Sequence, residues 1–337
     1  MSEIHYYHHG RFRVAGGVLP AAFTAYQTFG DPKNPCIVFP TCYGGRLDNQ
    51  EYMIASDTTH HALDPKKYYI VTLALFGNGE SSSPSNTAPP YNGPYFPTIS
   101  YADNIRAQYA VLTKELKVQK VHCVIGFSMG AQQAYHWAAM YPDFVEKFVA
   151  ICGSARTSPH NKCFLEGPKA ALVASKDFDN GHYKAQPDIG IRAFGRAYSA
   201  WAYGQAWFRQ HGYLHDGKYA SLEDFLRAEW EGGFLDWDAN DLITLLHTWQ
   251  SGDVSESLGG VQLADILAGL KPKGLIMPSK TDLYFPPEDS ENEVALMKNG
   301  SKLVVIDSVW GHMAGGGSND KDMKFIDEQV AAFLSEA

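Results

Sequence analysis

The stretch Val124-Ile125-Gly126-Phe127-Ser128-Met129-Gly130-Ala131-Gln132-Gln133-Ala134 decides how the rest of the chain reads. It begins as a β-branched apolar run and continues as a helix former, with a serine between two glycines at the junction. G-x-S-x-G in that context is a nucleophile elbow, a sharp strand-to-helix turn that exposes a serine hydroxyl. The glycines have a steric reason: the serine sits at strained backbone angles, and a side chain at Gly126 or Gly130 would collide with the neighbouring strand or helix. Ser128 Oγ then projects at the N-terminus of the helix that starts near Met129. Free N–H groups and positive potential there suit a developing oxyanion. An ordinary βα turn with packing glycines has the same five letters; the flanking strand and helix favour the elbow.

Strand-like runs recur on both sides of this junction: Cys36 to Pro40, Tyr68 to Leu75, Val121 to Ile125, Lys147 to Cys152, Gly274 to Pro278 and Leu303 to Ile306. They are short and continuously apolar, as strands buried on both faces of a parallel sheet are. Helix-like stretches lie between them: Tyr101 to Leu116, Met129 to Met140, Pro287 to Lys298 and Lys321 to Ser335. The alternation predicts an α/β sheet flanked by helices. It lapses between residues 157 and 270, where the chain is aromatic-rich and mostly helical in character. A helical block inserted between two strands of one sheet predicts a lid rather than a separate domain. The expected organisation is a core of residues 1–156 and 271–337 with a helical lid of 157–270. Gly77 to Pro97, rich in Gly, Ser and Pro, predicts a long loop.

The 337 residues are 45% hydrophobic and can bury a large core. A formal net charge of -9 argues against nucleic-acid binding, which needs a basic face. No apolar run is long enough for a bilayer span, and the N-terminal stretch lacks the basic and apolar regions of a signal peptide. Cysteines at 36, 42, 123, 152 and 163 are odd in number and form no C-x-x-C pair. Buried thiols in a reducing compartment are expected, hence a cytoplasmic protein.

A serine hydroxyl needs a base. In elbow enzymes the partners follow in the order serine, acid, histidine. His312, in Val309-Trp310-Gly311-His312-Met313, lies past the strand at Leu303 to Ile306 and before the last helix, with glycines at 315 to 317 shaping a backbone for close approach. Asp282 lies in the loop after the Gly274 strand and is the expected acid, holding the imidazole in the right tautomer. Asp307 is its rival but follows its own strand directly. The first oxyanion donor is expected to be the N–H of Met129. The second should come from the loop after Cys36 to Pro40, as the N–H of Cys42 or, failing that, Tyr43. His5, His8 and His9 are expected in a solvated, flexible N-terminus, and His60, His61 and His160 in structural or exposed roles. No H-E-x-x-H or other ligand spacing occurs, so no metal is expected.

These residues together resemble the homoserine transacetylase family of α/β-hydrolases, from about residue 15 to residue 335. The resemblance rests on Tyr95-Phe96-Pro97-Thr98-Ile99-Ser100 with Asn104-Ile105-Arg106-Ala107-Gln108, and on Ser128-Met129-Gly130 with Trp137-Ala138 and Tyr141-Pro142-Asp143. Asp238-Ala239-Asn240, Asp282-Leu283 with Phe285-Pro286, and Gly311-His312 complete it. It implies an α/β-hydrolase fold, a serine acyl-enzyme, a helical lid that forms a tunnel, and a homodimer. Tyr43, Phe127, Met313 and Lys169 are then the expected substrate contacts. Four departures from the family pattern stand out. The elbow is Gly126-Phe127-Ser128-Met129-Gly130-Ala131 where the family tends to Gly-Gly-Ser-Met-Gly-Gly. Met313 replaces an acidic residue after the histidine. Gly79-Glu80-Ser81-Ser82-Ser83 replaces a Gly-Ser-Thr-Gly run. Lys169 stands where the family has an arginine suited to gripping an amino-acid carboxylate, and a lysine lacks the planar fork that binds one in two places.

The departures lean toward a hydrolase of small acetate-type esters, with His312 activating Ser128 and then water, and with no cofactor. The alternative keeps every step but the last, with acetyl-CoA as donor and homoserine or another alcohol as acceptor. A non-catalytic binding protein on the same fold is disfavoured by the intact Ser128, Asp282 and His312 set, and a haloalkane-type mechanism by serine rather than aspartate at the elbow.

Overall fold

The computed structural model describes residues 2–56 and 61–336. Eight strands form one sheet: β1 (His5–Val14), β2 (Gly17–Phe29), β3 (Cys36–Pro40), β4 (Tyr69–Leu73), β5 (Val121–Phe127), β6 (Val145–Ile151), β7 (Lys273–Met277) and β8 (Lys302–Leu303). Their order is β1-β2-β4-β3-β5-β6-β7-β8. The pairs β1·β2 and β2·β4 are antiparallel and every other pair is parallel. The helices are α1 (Tyr101–Ala110), α2 (Met129–Met140), α3 (Pro159–Val173), α4 (Asp188–Ser199), α5 (Gln205–Arg209), α6 (Leu222–Phe225), α7 (Ala239–Gln250), α8 (Val254–Ser257), α9 (Leu263–Gly269), α10 (Pro287–Leu296) and α11 (Asp320–Ser335).

The apolar strands are buried on both faces, and alternate residues go to opposite layers. In β5, Val124 packs with Ile105 of α1 and Ala134 and Trp137 of α2, and Val121, before a register shift in the strand, joins them. Cys123, Ile125 and Phe127 face the other layer, with Ile326, Val330 and Phe333 of α11. No described helix is long and apolar enough to cross a membrane.

Two expectations need correction. His5, His8 and His9 do not lie in a flexible tail: they sit in β1, paired to β2, and His9 Nε2 is 2.8 Å from Thr24 Oγ1. This outer hairpin is half exposed, so its strands carry polar residues that hide the apolar signature of the inner ones. The helix predicted over residues 101–116 stays α-helical only to Ala110 and ends in a π-helical turn, Val111–Glu115. Gly77–Pro97 is a loop, as expected, apart from a short 3-10 turn at Gly93–Tyr95, and it is stitched to β2: Ser81 and Ser82 are buried and accept the N–H groups of Ala25 and Phe23 at 3.0 and 2.9 Å. Of the other histidines, His61 Nδ1 is 2.7 Å from Asp327 and His160 is exposed beside Trp201; His60 lies outside the described residues.

The helical segment between β6 and β7 leaves and re-enters the sheet layer side by side. Thr157 N–H donates to Gly252 O at 2.8 Å and Val254 N–H to Ala155 O at 3.1 Å. Within the 157–270 segment, Phe194, Tyr198, Trp207, Phe225 and Trp249 form an aromatic cluster that also takes in Tyr43, Tyr284 and Phe285 from the core loops. Beyond the re-entry point, Val254 of α8 and Ile266 and Leu267 of α9 pack with the core layer of α2 instead.

Candidate active site

Ser128, Asp282, His312 and Cys42 follow the carboxyl ends of β5, β7, β8 and β3, where ligands bind in open α/β sheets. Ser128 has φ 58° and ψ -123°, a conformation that costs a non-glycine residue about 1–3 kcal/mol. The turn holds because the backbone passes itself with no room to spare. A Cβ on Gly126 would come 2.1 Å from the Gly130 carbonyl carbon and oxygen.

His312 Nε2 lies 2.9 Å from Ser128 Oγ, and His312 Nδ1 lies 2.8 Å from Asp282 Oδ2. The other carboxylate oxygen accepts the N–H groups of Tyr284 at 2.8 Å and Phe285 at 3.0 Å, which fixes its plane. All three side chains are buried. The imidazole is held between rings, with Phe127 and Tyr284 centroids each 4.7 Å away. Thr281 Oγ donates to Ser308 O at 2.9 Å and accepts Gly311 N–H at 3.1 Å, tying the acid loop to the histidine loop. Asp307 is on the surface, 2.8 Å from Lys280. The glycines after His312 permit close approach: a Cβ on Gly315 would stand 2.7 Å from Ile151 and 2.8 Å from Phe127.

Ser128 and His312 open onto a cavity of about 510 Å³. Cys42, Tyr43, Phe127 and Met313 line it. Among the described residues, the backbone N–H groups of Cys42, Tyr43 and Met129 have no backbone acceptor, and that of Cys42 faces its own sulfur. Burial pushes the Cys42 thiol up to about 12, so it is not a thiolate nucleophile.

Lys169 stands apart from the cavity that holds Ser128 and His312. It is absent from the cavity wall and donates to Glu166 at 3.1 Å and Gln250 at 3.5 Å. The buried stripe of α3 is Asn161, Phe164, Leu165, Pro168 and Leu172, and Lys169 falls one residue off it. The wall is instead aromatic: Tyr198, Tyr203, Trp230, Phe234 and Trp237 of the helical segment between β6 and β7. Their abundance shows in the sequence, but core-facing and cavity-facing rings have the same letters. No Lys or Arg lines the cavity among the described residues, and its one carboxylate, Glu229, is bonded to Tyr219 and to Lys218, at 2.8 Å from the latter.

Cys152, Asp282 and His312 are the one set among the described residues whose donor atoms lie close enough to hold a metal ion. His312 Nδ1 is already committed to Asp282, and burial together with the Asp282 charge raises the Cys152 thiol well above its ordinary range. A metal would require a thiolate there.

This fold and this site define an enzyme of the α/β-hydrolase superfamily. The family model of the alpha/beta hydrolase fold matches residues 35–179. A probable esterase of Corynebacterium glutamicum is 34% identical over 88% of this chain and 86% of its own. The ethyl acetate hydrolase of Pseudomonas veronii is 33% identical over 95% of this chain and 92% of its own. Among solved structures, the acetyl esterase MekB superposes with a TM-score of 0.94 at 31% identity, covering 99% of this chain and 97% of that one. Homoserine O-acetyltransferases are further relatives; that of Trichormus variabilis is 28% identical over 89% of this chain and 85% of its own. The chain therefore belongs to the α/β-hydrolase family, among relatives that are esterases and homoserine O-acetyltransferases.

Proposed function

We propose that this enzyme hydrolyses small acetate-type esters through an acyl-enzyme on Ser128. The observation that carries the reading is the unbroken hydrogen-bonded line from Asp282 through His312 to Ser128, ending in a cavity that no Lys or Arg lines among the described residues. His312 Nε2 takes the proton as Ser128 Oγ attacks the ester carbonyl. The Met129 and Cys42 N–H groups hold the oxyanion, each such donor contributing about 2.7–4 kcal/mol in comparable sites. His312 then protonates the leaving alcohol, and the acetyl-serine forms. Water enters, gives its proton to His312, and attacks the acyl carbon; Ser128 recovers its proton as acetate leaves. Asp282 stays ionised and steadies the imidazolium throughout. Water is the second substrate, and no cofactor takes part.

Water is favoured over homoserine because a homoserine α-carboxylate would enter a cavity that offers it no Lys or Arg. The names of the two esterase relatives that act on acetates support the same choice of acyl group. The resemblance to homoserine transacetylases supports a homodimer, read by sedimentation velocity. The five free thiols support a cytoplasmic location.

The test is release of the chromophore from a nitrophenyl acetate, with and without homoserine and acetyl-CoA. Acetate is the expected product, and Ser128→Ala should lower turnover by about 10³-fold or more. Acetylated homoserine as the main product would replace the hydrolase by a transferase. Full activity in Ser128→Ala would remove the serine mechanism.

A further inference from the structure

An ionised carboxylate can accept about four hydrogen bonds. Asp282, 2% exposed, has three: two backbone N–H groups on one oxygen and His312 on the other. A buried carboxylate with an open acceptor position is costly, so its remaining neighbour matters. That neighbour is Cys152. Its sulfur, a carboxylate oxygen of Asp282 and a ring nitrogen of His312 all lie within 4.8 Å of one another, and all three residues are buried.

Cys152 is fully buried directly after β6, with φ 49°, a left-handed conformation that few non-glycine residues hold. Its N–H donates to Met277 O at the end of β7, 3.0 Å away, which anchors it beside the acid loop. The backbone N–H groups of Ser279 and Gly315 are near enough to favour its ionised form, against the larger effects of burial and Asp282. Ser279 belongs to the loop that delivers Asp282, and Gly315 to the segment that carries His312. The sulfur therefore lies beside both loops and within 4.8 Å of the acid. The thiol is protonated here, so it has one hydrogen to place. Met277 O is 3.9 Å from the sulfur, at the outer limit for such a bond, and a carboxylate is the stronger acceptor.

We propose that Cys152 is a positioning residue of the Ser128–His312–Asp282 set: its S–H donates to the Asp282 carboxylate, and its sulfur fastens the acid and histidine loops together. The proposal rests on the serine mechanism above. The donor fixes the acid in the plane that meets His312, and it draws off part of the charge that the imidazole feels.

Cys152→Ala and Cys152→Ser test it, with nitrophenyl acetate turnover, the pH–rate profile and thermal unfolding as readouts. In Cys152→Ala, kcat should fall about tenfold with KM within about twofold, the loss of one hydrogen bond to a charged group. The acidic limb of kcat/KM should move to higher pH, because the undamped carboxylate favours protonated imidazole. Cys152→Ser, which keeps an O–H donor, should bring the limb back and recover most of kcat. Wild-type kcat and profile in Cys152→Ala would overturn the proposal. So would equal impairment of both variants, which would mark packing alone. If neither variant folds, the infrared S–H stretch of the otherwise intact enzyme decides. The Cys152 band should shift in Asp282→Asn, and a band indifferent to that change refutes the hydrogen bond. Ser128→Ala separates the two readings: inactive Ser128→Ala with normal Cys152→Ala rejects only the role of Cys152.

Discussion

Asp282→Asn asks whether the acid works by holding a tautomer or merely by adding charge. One carboxylate oxygen accepts two backbone N–H groups, from Tyr284 and Phe285, at 2.8 and 3.0 Å. An asparagine must put its carbonyl oxygen there, since its NH₂ would face two donors. The NH₂ then points at His312 Nδ1, where the wild-type carboxylate accepts at 2.8 Å. A donor facing Nδ1 makes that nitrogen the acceptor and moves the proton to Nε2. Nε2 lies 2.9 Å from Ser128 Oγ, so the group that should take the serine proton now already carries one. Losing one hydrogen bond to a charged group would cost about 1.5–3 kcal/mol, or one to two decades of rate. Locking the wrong tautomer costs more, about 10⁴-fold or roughly 5.4 kcal/mol in an analogous triad. The expected fall in kcat on a nitrophenyl acetate is therefore about 10³- to 10⁴-fold with KM little changed, and thermal unfolding reports that the fold is intact. A fall of less than about tenfold would show that the tautomer argument is wrong and that the acid is a spectator.

The lid should be coupled to the histidine loop through Gly204. A Cβ there would meet Thr281 Oγ1 at 2.6 Å and Val309 O at 2.7 Å, and Thr281 Oγ1 is the bridge between the two catalytic loops. Gly204→Ala should cost about 1–3 kcal/mol of stability and at least tenfold in kcat. Gly167→Ala, whose Cβ would meet nothing within 4 Å, is the control and should be neutral or mildly stabilising by chemical denaturation. Glu293 gives a pH test. Burial pushes its carboxyl up to about 8, while Ala155 N–H donates to it at 2.7 Å beside the lid's point of exit. Its folded value exceeds the ordinary unfolded value near 4.3, so the stability it contributes is full below about pH 4 and is lost as pH rises toward 8, by at most about 1.4 kcal/mol per unit. Glu293→Gln, a neutral mimic of the protonated acid, should match wild type near pH 4 and unfold at higher temperature near pH 9. Equal melting at both pH values would refute the buried acid.

The reach of the sequence follows from how local each determinant is. The elbow is local: Gly126 and Gly130 approach within one turn, so the constraint is written in consecutive residues. The inner strands are local too, because burial on both faces leaves an unbroken apolar run, and β3, β5 and β6 lie within two residues of their expected bounds. The hairpin of β1 and β2 is not. Its half-exposed strands mix His, Tyr, Arg and Gly, and only pairing with each other and with β4 makes them strands. Cys152 shows the same limit at the site. Nothing in Ala150-Ile151-Cys152-Gly153 announces a thiol beside Asp282, since that proximity exists only once β6 and β7 lie side by side.

Lys169 makes the distinction sharpest, because the resemblance placed it near the right segment and geometry turned it away. Helix α3 advances about 100° per residue, so one step from the buried Pro168 carries the side chain from the lid interior to Glu166 and Gln250. Chemistry at the elbow survives such drift, because strand, turn and helix allow one arrangement. Recognition does not, because it depends on which face of a lid helix meets the cavity. A charge offset by a single residue leaves the reacting groups intact and removes the grip on an amino-acid carboxylate. Under the proposed function, that offset leaves the acyl-serine to water.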